Sequence, residues 1–317
     1  VVAAVRGASR VVRVLAPNPS PMTLEGTNSY LVLGGRQAIA IDPGPLIEAH
    51  VDALVAAAAR HGAEIAAIAL THDHPDHAPA TALLHARTGA PVYAHALSRV
   101  SADHRVGEGD AVVAGDAALA VLEAPGHARD HLVYALEEEL ALFTGDVVIG
   151  RGTVVVAPPS GDMRAYQATL ERLRREYESS HAIFGGHGDR IDDPRAKLDE
   201  YIAHRRSRES EIVAALGRGG AGGGGEVTVP ALVAEIYRSV SPVLWPAAAR
   251  QIVAYLIALE REGRVRSREL PRAPTAAEAA ILNPDLSRIA DPESAAIARA
   301  ELGFDEPPER IVAYALA

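Results

Sequence analysis

The chain has 317 residues, 48% of them hydrophobic, and a formal net charge of −10 at pH 7. That is enough apolar material for one large domain and a smaller one. The absence of cysteine excludes disulfides, zinc–thiolate sites and thiol catalysis, and three Phe with one Trp argue against a stacking platform for single strands. No run reads as a signal or a membrane span, so the expectation is a cytoplasmic protein with no membrane partner.

Residues 9–15, 29–34 and 37–42 alternate as strands, with a Pro/Gly-rich loop over 17–26. A helix is predicted over 47–61. A short apolar strand over 65–70 and a helix over 78–88, stopped by Gly89, follow. Residues 91–94 read as a strand, and 110–134 alternate strands and turns. A strand over 140–143 ends at Gly145-Asp146. A helix over 163–179 carries Leu170 and Leu173 on one side. A strand over 182–184 ends at Gly185-Gly186-His187. This order predicts an α/β fold, two sheets sandwiched between helices, with the reactive residues on loops at strand ends.

A long helix over 195–217 closes a first domain spanning 1–217, and a glycine-rich linker follows over 219–225. The small unit over 226–270 opens with Thr228 placed to cap a helix that has Pro230 in its first turn. A second helix over 247–261 carries Ile252, Leu256 and Leu259 as its stripe. A short basic ribbon holds Arg264, Arg266 and Arg268. That order is winged-helix-like, and its expected role is packing or nucleic-acid contact. Residues 271–317 form an unassigned extension, weakly helical over 294–302.

The stretch Thr71-His-Asp-His-Pro-Asp-His77 places three imidazoles and Asp76 within six residues. Nitrogen and carboxylate oxygen in this density are zinc ligands, and a set this large fits two ions and a water-derived nucleophile. Later chain adds His127 after Pro125-Gly126, Asp146 after Gly145, and His187 between two glycines. The simplest allocation gives one ion His72, His74 and His127. The other takes Asp76, His77 and His187, and Asp146 bridges. Asp73 is expected to be solvated. Asp42 is expected to orient a ligand or to close a turn. His131 is expected to hydrogen-bond substrate or a ligand.

These motifs resemble the metallo-β-lactamase superfamily. Its His-x-His-x-Asp-His signature matches His72-Asp-His-Pro-Asp-His77, and its later marks match Pro125-Gly-His127, Thr144-Gly-Asp146 and Gly185-Gly-His-Gly188. The resemblance implies an αβ/βα sandwich holding two zinc ions, with manganese or iron as alternatives, and the allocation above. Pro17-Asn-Pro, Gly26-Thr-Asn28, Ile41-Asp-Pro-Gly44, His204-Arg205 and Arg208-Glu209 are similar to the lactamase-beta-like proteins, which include thioesterases acting on carrier-bound polyketides and an endoribonuclease of single-stranded RNA. The implied activity is a dinuclear hydrolase using a metal-bridging hydroxide, with Asp76 or Asp146 orienting the water or accepting its proton. The expected substrate is a small-molecule or carrier-bound acyl thioester or related ester. RNA is the alternative, with Arg129 and Arg151 as possible contacts. A non-enzymatic metal-binding module is the remaining one.

Overall fold

In the computed structural model, residues 2–4, 10–177, 182–219, 225–282 and 310–317 are described. They fall into two units, residues 1–154 with 169–199, and residues 155–168 with 200–317. This division by contacts falls at 199/200, ahead of the glycine-rich stretch. The expected segment over 294–302 and most of that stretch lie outside the described residues.

In the first unit, β1 (Val2–Ala4), β2 (Val11–Leu15), β3 (Asn28–Gly34), β4 (Gln37–Ile41), β5 (Glu64–Ala69), β6 (Val92–His95) and β7 (His104–Val106) form one sheet in chain order. Pairing is antiparallel through β4 and parallel from β4 to β7. Helices α1 (Glu48–Arg60) and α2 (Thr81–Thr88) lie in the first two parallel crossovers. A second sheet holds β8 (Ala111–Ala114), β9 (Ala117–Glu123), β10 (Leu132–Leu136), β11 (Ala141–Gly145) and β12 (Ala182–Gly185), ordered β12-β11-β10-β9-β8. All its pairs are antiparallel except β11 with β12.

Alternation along the strands decides the layering. Val11, Val32, Ile39 and Ile41 share one buried core with Leu119, Val121, Tyr134 and Phe143 of the second sheet. Their neighbours Val12, Leu31 and Ala40 face the other way and pack with Val51 and Leu54 of α1 and Leu84 of α2. Every residue of β10, β11 and β12 is buried, so this part of the second sheet is covered on both faces, while β8 and β9 alternate buried and exposed residues. The result is the expected αβ/βα sandwich.

Parallel pairing then gathers the loops. Asp42 follows β4 and donates its N–H to Ala69 O at 3.0 Å, which sets it beside the start of the histidine stretch. Asp146 and His187 leave the parallel pair β11 and β12 at neighbouring ends. Tyr30 packs edge-on against Phe143 and Phe184, at 5.3 and 5.7 Å between ring centroids. Its hydroxyl donates to Gly185 O at 2.8 Å, anchoring the residue before the Gly186-His187 turn.

The helix α3 (Met163–Glu176) begins in the second unit's residues, and α4 (Pro194–Gly217) ends there. The second unit adds β13 (Val227–Thr228), α5 (Val229–Ile236), α6 (Trp245–Arg261), β14 (Val265–Glu269), α7 (Ala276–Leu282) and β15 (Val312–Leu316). Thr228 occupies the N-cap of α5 without a side-chain cap bond. The third sheet runs β13-β15-β14, so the last strand of the chain is its centre. The extension over 271–317 is partly structural, since β15 pairs with both ribbon strands. The stretch Pro242–Arg261 is long and apolar enough to cross a membrane by length and composition. Ile252, Tyr255, Leu256 and Leu259 on it are fully buried, so its apolar face is a core face. Arg205 is also fully buried. Its guanidinium lies 5.0 Å from the Tyr166 ring, and the Tyr255 hydroxyl donates to its carbonyl at 3.1 Å.

Candidate metal centre

Among the described residues, two groups of side chains could each hold a metal ion. His72, His74 and His127 form the first, and Asp76, His77, Asp146 and His187 the second. Within each group the ligand atoms lie within 4.8 Å of one another. These are the seven residues expected from the sequence, and all are in the first unit.

The histidines are presented by what holds their other nitrogen. Thr71 Oγ1 donates to Asp42 Oδ2 at 2.7 Å, so it accepts from His72 Nδ1 at 2.9 Å. His77 Nδ1 donates to Asp42 Oδ2 at 2.8 Å. His187 Nδ1 donates to Gly26 O at 3.3 Å. In each ring Nδ1 carries a proton and Nε2 is the nitrogen that faces the group. In the first group, His127 Nε2 and His74 Nδ1 lie 3.0 Å apart.

Asp146 reaches both groups. Its Oδ1 lies 3.4 Å from His77 Nε2. Its Oδ2 is 3.4 Å from His187 Nε2 and 3.8 Å from His127 Nε2. Asp76 Oδ2 stands 3.0 Å from His187 Nε2 and 3.4 Å from His77 Nε2. Gly186 makes this packing possible. A Cβ there would come within 2.5 Å of Asp146 Oδ1 and 2.6 Å of His77 Cε1, so any side chain would displace a ligand.

A cation fits this donor set. His72 Nε2 is buried and makes no hydrogen bond, a costly state for a polar atom that a metal ion removes. Nitrogen with carboxylate oxygen, and no sulfur, is a set that zinc, iron and manganese accept. The metal-free electrostatics separate the groups. Burial, followed by the charges of neighbouring imidazoles, pushes His72 well below the ordinary histidine range. Burial acts the same way on His77, but Asp76, Asp146 and Asp42 override it and hold that ring well above the range. His187 is likewise raised to about 10 against its burial, chiefly by Asp146. Burial would raise Asp146, yet His187 and His77 pull it well below the usual carboxylate range.

The supporting residues differ in part from expectation. Asp42 both turns the chain, with φ at +50°, and orients His77. It also takes the Thr71 N–H at 2.8 Å, so one carboxylate braces ligands of both groups. Asp73 is not solvated. It is 8% exposed and is clamped by Arg99 through the backbone N–H at 2.8 Å, Nε at 3.0 Å and Nη2 at 2.8 Å. His131 is 1% exposed, and its ring stacks on His72 with centroids 4.6 Å apart. Its Nε2 accepts the Asp146 N–H at 3.1 Å. Asn28 is spent on the carbonyls of Gly185 and Gly188, at 3.0 and 2.8 Å. Arg151 is paired with Glu25 at 2.7 Å. Sequence reasoning missed Thr71 and Arg99. Only the Thr71 position, next to the histidines, carried a signal.

The sequence profile of the metallo-beta-lactamase superfamily matches residues 22–179. A relative from Caenorhabditis elegans named beta-lactamase-like protein 2 homolog is 36% identical over 65% of this chain and 70% of its own length. The chain belongs to the metallo-beta-lactamase superfamily. The profile of the beta-lactamase associated winged helix domain matches residues 228–271, which covers β13 in part and α5 to β14. An Aspergillus chevalieri protein named atrochrysone carboxyl ACP thioesterase is 35% identical over 73% of this chain and 74% of its own. The fold is shared with a metallo-beta-lactamase family protein from Thermus thermophilus, with a TM-score of 0.68 and 22% identity. That likeness covers 82% of this chain and 96% of the other. Superfamily membership and the two ligand groups together make this protein a metal-dependent hydrolase with a dinuclear metal-binding site.

Proposed function

We propose that the substrate is an acyl thioester or related ester, carried on an acyl carrier protein or a small thiol. The observation that supports this most directly is the relationship to a carrier-protein thioesterase at 35% identity. The ribbon expected to favour RNA also loses much of its charge. Arg268 pairs with Glu226 at 2.6 Å, and Arg264 pairs with Glu209 and Glu262 at 2.7 and 3.2 Å. Two of the three guanidinium groups are thus neutralised within the protein, which leaves a poor footprint for a phosphate backbone.

In this reading His72, His74 and His127 hold one cation, and Asp76, His77 and His187 hold the other. Asp146 bridges, because its two oxygens face both groups. Zinc is the proposed metal, with manganese or iron as alternatives. When bound, the ions lower the pKa of water and polarise the electrophilic carbonyl. Asp76 has a side chain 24% exposed, against 11% or less for Asp146, His77, His127 and His187. It is therefore the carboxylate placed to orient the attacking water, its charge kept by His77 and His187, which hold it well below the usual carboxylate range against its burial. His131 acts through Asp146, fixing its backbone, and does not touch substrate. A thiolate leaving group needs little acid assistance, since a thiol ionises near neutral pH.

The test is hydrolysis by the zinc-loaded chain of acyl-pantetheine and acyl carrier protein thioesters, followed by release of free thiol, beside a short single-stranded RNA. Thiol release with intact RNA is expected. RNA cleavage without thiol release would overturn the thioester assignment.

A further inference from the structure

The second ligand group leans on a turn that lies far from it in sequence. Asn18 Oδ1 accepts the Thr27 N–H at 2.9 Å. A backbone N–H can only donate, so that contact fixes which end of the Asn18 amide is oxygen. Asn18 Nδ2 is then a donor, and it gives to Thr27 Oγ1 at 3.0 Å. With that lone pair occupied, the Thr27 hydroxyl has its own proton to place, and Asp76 Oδ2 lies 3.4 Å away. Thr27 is fully buried, so its hydroxyl proton has no solvent to turn to. The same turn sends Gly26 O to His187 Nδ1. Gly26 has φ at +139°, and a Cβ on it would collide with Ala16 O and come within 3.2 Å of Asn18 Oδ1. Two ligands of one group, Asp76 and His187, are thus aimed by residues 18–27. His72 of the first group is aimed instead by its chain neighbour Thr71.

We infer that Asn18 and Thr27 are positioning residues that set the affinity of the second metal subsite by directing a hydroxyl proton at Asp76. This rests on the proposed allocation of Asp76 to that subsite. Three variants separate the possibilities. Thr27→Val keeps the shape and removes the hydroxyl. Thr27→Ser restores it. Asn18→Asp keeps the acceptor for the Thr27 N–H but replaces the donor with a carboxylate, so the hydroxyl turns toward position 18 and away from Asp76. A merely electrostatic role predicts tighter metal binding from that added negative charge, whereas positioning predicts weaker binding.

The experiment is zinc titration of the metal-stripped full chain against a chromophoric chelator, with thermal melting as the check on folding. Asp76→Ala serves as the control and should lose the second ion. Thr27→Val and Asn18→Asp are expected to bind the second ion about tenfold more weakly, with the first unchanged, and Thr27→Ser to behave as wild type. If Asp76→Ala loses the ion while Thr27→Val and Asn18→Asp both bind two with wild-type affinity, the positioning role is wrong. If Asp76→Ala still binds two with wild-type affinity, the allocation itself is wrong and the inference falls with it.

Discussion

The two ligand groups occupy the same end of one sandwich, yet they treat a proton in opposite ways. The first is made of imidazoles alone, and burial with mutual repulsion keeps a ring such as His72 neutral. His72 is in its binding form before a metal arrives. The second sets His77 and His187 against Asp76 and Asp146. Burial is outweighed there, and both rings hold protons, His187 up to about 10. A cation entering that group must displace protons from its rings, whereas His72 in the first group already presents a free nitrogen. The contrast is one of charge balance, since only the second group sets carboxylates against its buried imidazoles.

The largest effect should come from the residue that joins the groups. Asp146→Ala removes the carboxylate facing both. Turnover should fall by more than about 100-fold, the upper range for losing a group that merely supports a ligand, and metal content should drop from two toward one. Steady-state kinetics with elemental analysis would check this. Full metal content with wild-type turnover would end the bridging assignment.

Asp42 tests what the groups share. It braces His77 directly and His72 through Thr71. Asp42→Ala should weaken both ions, each by about 10- to 100-fold, where Asp76→Ala should weaken only one. Weakening confined to a single ion would show that the Thr71 link carries nothing.

The proton difference itself can be measured. Lowering the pH from near 8 to near 6 should weaken the second ion by at least about tenfold per unit, His187 giving up one proton and the raised His77 steepening the slope. The sign follows from His187, which is raised and therefore protonated across that window in the metal-free state. The first ion should change far less over most of that range, since His72 is held low. Calorimetric titration at several pH values would separate the two. Equal slopes for both ions would remove the distinction between the groups.

Much of this centre could be read before folding, because its ligands announce themselves. Three histidines within six residues have few other uses, and Asp146 and His187 follow strands that end in glycine. The sandwich was legible for a related reason, since alternation along residues such as Val11 and Val12 records two buried faces. The supports were not legible. Asp73 looked solvated because Arg99, which clamps it, lies on a separate loop. Asn18 and Thr27 fall in motifs similar to those of the lactamase-beta-like proteins, but nothing local says that the turn closes on Asp76. The strand Val312–Leu316 is five residues long and pairs with residues more than forty positions away, so its place at the centre of a sheet depends on long-range pairing that a short apolar run does not specify.

The smallest effect lies at a histidine outside both groups, where burial acts without a carboxylate to oppose it. His50 is 2% exposed and shares a 2.8 Å hydrogen bond with Ser29 Oγ. Burial lowers its pKa to about 4. The unfolded chain takes up the proton near the ordinary value of about 6.5, so between those values the unfolded state binds more protons and stability falls as the pH falls. This contribution is fully present above the unfolded value. Between pH near 7.5 and pH near 6 it should cost about 1 kcal/mol by that linkage, and the loss should grow as the pH approaches 4. His50→Leu removes the titrating group, so the variant should lose less stability than wild type over the same window, whatever its absolute stability. Urea unfolding of both proteins at the two pH values gives the comparison. Identical pH slopes would mean that His50 is not held neutral by burial, and that the rule separating the two metal groups does not extend to a histidine standing by itself.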